Sequence, residues 1–118
     1  MKHKLILFFS VTFLLIACSG KTNTSLQHIS PNGKVKINIE GKRSTSVESW
    51  KVDMNVKAYG FEEGKLSFEI YSDDISNDNV SFEWEDEFHC KIIFRQSDGE
   101  ERTFQLIASP KQLQMAEI

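Results

Sequence analysis

From Lys34 onward, apolar and polar residues alternate one by one, in segment after segment. Val35, Ile37 and Ile39 are interleaved with Lys34, Lys36, Asn38 and Glu40. Trp50, Val52, Met54, Val56 and Ala58 are interleaved with Lys51, Asp53, Asn55 and Lys57. The pattern returns at Leu66, Phe68 and Ile70, at Val80, Phe82 and Trp84, at Phe88, Cys90, Ile92 and Phe94, and at Phe104, Leu106 and Ala108. A period of two is the side-chain period of a strand, and none of these segments carries a helical stripe. The pattern therefore predicts an all-β domain, an antiparallel meander of about six strands.

A sheet with one apolar face must cover it, and no long helical pattern is available to do so. The meander is expected to curl into a small barrel or fold into a sandwich. Ser109-Pro110-Lys111-Gln112 has the form of a helix start, with Ser109 as N-cap, Pro110 at the first helical position and Gln112 closing a capping box. It predicts a short C-terminal helix through Glu117. Ser30-Pro31-Asn32-Gly33 is a turn signal and sets the start of the domain, which spans residues 30–118.

Burial of whole faces selects the registers. At Ser97-Asp98-Gly99, a three-residue loop with Gly99 left-handed pairs Ile92 with Phe104, Cys90 with Leu106 and Arg95 with Glu101. The same rule at Glu62-Glu63-Gly64 pairs Val56 with Ile70 and Lys57 with Glu69. Closing the next hairpin with Trp84 opposite Phe88 sets Glu83 against His89. Phe82, Trp84, Cys90 and Ile92 are expected inside, and Glu83 and Lys91 outside.

The beginning of the chain follows a different rule. Met1-Lys2-His3-Lys4 is a basic start, and Leu5 to Ile16 is an apolar run broken only by Ser10 and Thr12. As a helix that run is about 18 Å long, too short for roughly 30 Å of hydrocarbon core, which fits a cleaved signal. It ends on Leu15-Ile16-Ala17-Cys18, which resembles the lipobox of bacterial lipoproteins. The resemblance implies cleavage between Ala17 and Cys18, a covalent lipid on Cys18, and attachment to the cell envelope membrane. Two or three acyl chains hold such an N-terminus firmly, at about 0.8 kcal/mol per buried CH₂. Ser19 resembles the residue that permits passage to an outer membrane. In a cell with one membrane the anchor would lie on the outer face of the plasma membrane. Ser19 to Ile29 is polar and without periodicity, and reads as a tether within residues 18–29.

Composition narrows the function. The formal charge is −3 over 118 residues, and losing Lys2 and Lys4 with residues 1–17 makes the remainder more acidic. No basic nucleic-acid footprint is present. With Cys18 assigned, Cys90 is the only other cysteine, so stability must come from the core. Cys90 and His89 are neighbours in a strand and point to opposite faces, which excludes a thiolate–imidazole pair. Three histidines, one of them in the leader, are too few for a histidine-based metal site. Asp74, Ser76, Asp78 and Glu85 have the spacing of a calcium loop, but Asn79 stands where that loop needs glycine and the flanks alternate as strands. Gly60 and Gly64 flank acids and are no phosphate loop. Trp50 and Trp84 fall on inward rows, and no carboxylate pair sits in a recognisable cleft.

Ser30-Pro31-Asn32-Gly33-Lys34 before a strand, and Val80-x-Phe82-x-Trp84-x-Asp86 later, are also similar to segments of small all-β lipoprotein domains of bacteria. The expected protein is a membrane-anchored envelope lipoprotein, a non-enzymatic binding or assembly module with no cofactor beyond the lipid on Cys18. The alternative is an inhibitor of a hydrolase such as lysozyme. The outward residues His89, Ile93 and Ile107 are the expected contacts for an envelope protein partner.

Overall fold

The computed structural model describes residues 22–61 and 63–118. Eight strands form, β1 (Asn23–Ile29), β2 (Val35–Lys42), β3 (Trp50–Ala58), β4 (Gly64–Ile70), β5 (Val80–Trp84), β6 (His89–Arg95), β7 (Glu101–Ser109) and β8 (Gln112–Glu117). They build two four-stranded antiparallel sheets in the orders β1-β2-β3-β4 and β5-β6-β7-β8. The sheets are stacked as a sandwich rather than closed into a barrel. Alternation explains the arrangement: both sheets turn one apolar face inward, and each covers the other.

The six predicted strands all form, and two more join them. The expected tether is overturned over Asn23–Ile29, which form β1 along β2. Its inward members are Thr24, Leu26 and His28, so polar side chains hide the alternation. The Thr24 hydroxyl donates to Asp74 Oδ1 at 2.8 Å, tying β1 to the β4–β5 connection. The leader, Cys18 and the tether up to residue 21 lie outside the described residues.

The expected C-terminal helix is replaced by β8. Ser109 does cap, but its hydroxyl accepts the Lys111 and Gln112 N–H groups of a tight turn closing β7 onto β8. The strand lays half-buried Leu113 and Met115 over the core, which so short a helix could do only with one face.

The Ser97-Asp98-Gly99 register is as expected, with Gly99 at φ 86° and Arg95 opposite Glu101. The β3–β4 register is not. Trp50 pairs with Ile70, Lys51 with Glu69 and Val56 with Gly64, because the chain reverses earlier, at Tyr59 (φ 51°) and Gly60 (φ 78°). The Phe61 N–H closes that turn on the Ala58 carbonyl at 3.0 Å. Two positive φ values match the twist of a hairpin, and this outweighs the poor fit of tyrosine there. The slip is an even number of residues, so every side chain keeps its face. The β5–β6 hairpin also shifts evenly: Trp84 faces Cys90, and Glu83 faces Lys91 instead of His89.

The interior is aliphatic on the first sheet (Val35, Ile37, Ile39, Met54, Val56) and aromatic on the second (Phe94, Phe104), with Cys90 and Ile92 buried among them. Phe82 and Trp84 are half-buried, less than expected, because β5 is an edge strand and the cover runs out there. Trp50 is fully buried, and its indole N–H donates to the Ser72 carbonyl at 2.9 Å. Ile75 of the crossover packs on Gly41, where a Cβ would stand 2.7 Å from its Cδ1.

Candidate functional site

Strand direction divides the sandwich into two ends. At one lie the start of β1, the connections 43–49, 71–79 and 96–100, and the C-terminus. At the other, the distal end, lie the turns 30–34, 59–61, 85–88 and 110–111. The larger cleft, about 630 Å³, is at the first end beside Thr22, with Lys42, Arg43, Glu48 and Lys51 on its walls. Arg43 lies over the Trp50 ring at 3.9 Å and closes the core there.

The distal end holds a cleft of about 450 Å³ lined by Ser30, Pro31, Asn32, Trp84, Asp86 and Glu87. Two sequence-distant turns meet to form it. Trp84 is held from behind, since its indole Nε1–H donates to His28 Nε2 at 2.9 Å. The His28 ring stacks on Phe82 with centroids 4.0 Å apart and planes 1° from parallel. Burial holds the His28 pKa below its ordinary value, which keeps the ring neutral and able to accept.

Asp86 organises the other wall. Its Oδ1 accepts the Phe88 N–H at 2.7 Å and the His89 N–H at 2.9 Å, and His89 Nδ1 lies 2.8 Å away. The His89 ring and these backbone bonds hold the Asp86 carboxyl below its usual pKa, so it stays charged. Asn32 is equally committed. Its Oδ1 accepts the Ser30 hydroxyl at 2.6 Å and the Lys34 N–H at 3.0 Å, while Nδ2 donates to the Tyr59 hydroxyl at 3.1 Å.

The expected contact residues lie on the outward face of the second sheet. His89 and Ile107 are directly opposite each other, and Ile93 faces Thr103. The Lys91–Gln105 pair stands between them, so Ile93 is not adjacent to the other two. Cys90 points inward from its neighbour His89, and burial pushes its thiol up to about 12. Asp74, Ser76 and Asp78 remain in the crossover, where Asp74 Oδ1 accepts the Ile75 N–H and the Ser76 hydroxyl oxygen accepts the Asp78 N–H. Glu85 is at the opposite end of β5, paired with Lys91 at 3.4 Å. Among the described residues no three His, Cys, Asp or Glu side chains gather as metal ligands, and no helix is long and apolar enough to cross a membrane.

No family model, curated protein or solved structure matches the chain. Sequence reasoning missed His28, which it assigned to the tether. Period-two spacing of Thr24, Leu26 and His28 was the available signal.

Proposed function

We propose that the chain is a bacterial envelope lipoprotein, lipidated on Cys18 after cleavage at Ala17, whose sandwich acts by binding rather than catalysis. The observation that carries the reading is Leu15-Ile16-Ala17-Cys18 closing an apolar run behind a basic start. The position of β1 supports it. Only Ser19 to Thr22 separate Cys18 from the first strand, a reach of at most about 18 Å. The anchored end of the domain would then stand near the bilayer, with the distal cleft facing away. Ser19 favours the outer membrane in a diderm cell, and otherwise the outer face of the plasma membrane holds the anchor. The protonated, buried Cys90 thiol and the diverging His89 side chain support a binding role.

Metabolic labelling with a palmitate analogue tests the anchor. Wild-type protein should carry label and sediment with membranes. Cys18→Ser should lose the label and retain its leader. A labelled Cys18→Ser protein would overturn the reading.

A further inference from the structure

We infer that the distal cleft binds an organic cation, a guanidinium or alkylammonium group seated on the exposed part of Trp84 and balanced by Asp86 and Glu87. The inference rests on the binding-module reading above and names its ligand chemistry.

The polar inventory of the cleft decides the class. A sugar hydroxyl is held best by donors and acceptors together, and the cleft offers carboxylate acceptors with few uncommitted side-chain donors. The Trp84 N–H donates to His28, Asn32 Oδ1 accepts the Ser30 hydroxyl and the Lys34 N–H while its Nδ2 donates to the Tyr59 hydroxyl, and the Ser30 oxygen also accepts the Val35 N–H. Asp86 Oδ1 already takes two backbone N–H groups and the His89 ring. What remains is an aromatic ring, the apolar Pro31 and carboxylate charge. Those are the elements that hold a cation over a ring face. Glu87 is exposed, and among the described residues no basic group lies within ion-pair distance of it.

Preorganisation points the same way. Trp84 is fixed from behind by His28, so a ligand does not have to order the ring. Asp86 is fixed by the turn it caps, so its charge is already in place. Binding then loses little conformational entropy. A volume of about 450 Å³ lies within the range of small-ligand sites.

The test uses the full-length chain in detergent micelles with ¹⁵N-labelled tryptophan. Trp50 and Trp84 give two indole resonances, assigned with Trp84→Phe. Tetramethylammonium chloride, Nα-acetylarginine amide and the neutral isostere 3,3-dimethylbutan-1-ol are titrated separately to about 100 mM, a range that covers millimolar affinity. The expected result is a saturable shift of the Trp84 resonance with one or both cations and none with the alcohol. Glu87→Gln should weaken binding roughly threefold to tenfold, with both resonances still dispersed as in the folded protein. A stronger response to the arginine derivative identifies a partner's side chain as the source, and a stronger response to tetramethylammonium identifies a small quaternary ligand. Equal shifts with the alcohol, no saturable shift with either cation, or undiminished binding by Glu87→Gln would each overturn the inference. Labelling of Cys18 is read independently, so failure of the anchor and failure of the cleft are distinguishable.

Discussion

The sandwich has two long seams where edge strands of opposite sheets meet, and they are closed by different chemistry. On one, β1 meets β5 through His28, Phe82 and Trp84: two stacked rings and one neutral hydrogen bond. On the other, β4 meets the second sheet through Phe68, whose ring packs on Phe104 at 4.4 Å and on Phe94 at 5.0 Å. Arg102 covers that cluster, donates to both Glu117 oxygens at 2.7 and 2.8 Å, and reaches the Glu69 carbonyl. The second seam is an apolar cluster roofed by a bidentate ion pair. The first depends on one titratable ring and leaves Trp84 partly uncovered. The site therefore lies beside the weaker seam, as expected where a binding surface needs apolar area that the core does not consume.

The comparison predicts unequal costs. Phe68→Ala should lower stability by about 3 kcal/mol, since it empties the centre of a three-ring cluster. Trp84→Ala should cost about 2 kcal/mol, because part of the ring is already in water. Urea unfolding of both variants checks the order, and a larger loss at Trp84 would reverse the ranking of the seams.

Acid separates them further. The folded-state pKa of His28 lies below its ordinary 6.5, so the unfolded chain takes up the proton first. Stability at the β1–β5 seam should be present above pH 6.5 and fall as the pH drops through and below it, by less than about 1 kcal/mol after allowance for solvent. His28→Gln should flatten that part of the profile.

The Arg102–Glu117 pair behaves oppositely in chemistry and lower in pH. The carboxyl is depressed below 4.5, chiefly by its hydrogen bonds from Arg102. Its contribution should persist above pH 4.5 and disappear as Glu117 protonates, a few tenths of a kcal/mol for so exposed a pair. The difference between wild type and Arg102→Gln, followed from pH 7 to pH 3 at low and high salt, isolates it.

Much of this architecture was legible in the alternation. Faces survived even where registers did not, because the β3–β4 and β5–β6 pairings both shifted by an even number of residues. The misses have physical causes. β1 was hidden because Thr24 and His28 point inward beside a single apolar Leu26. β8 was read as a helix because serine before proline serves both a helix start and a tight turn. The Tyr59–Gly60 reversal was missed because tyrosine rarely adopts positive φ. The cleft was not legible at all: it arises where residues 30–32 and 84–87 meet, and nothing local in either stretch announces the other.

The placement of β1 also has a mechanical meaning. A chain held at Cys18 and pulled at its distal cleft would be loaded along the axis of β1, parallel to the strands. Antiparallel ladder bonds lie perpendicular to that direction. Tension would therefore strain the whole β1–β2 ladder from Asn23 to Ile29 together, in shear, instead of opening it one pair at a time. The strand nearest Cys18 would be a weak edge against peeling and a strong one against traction.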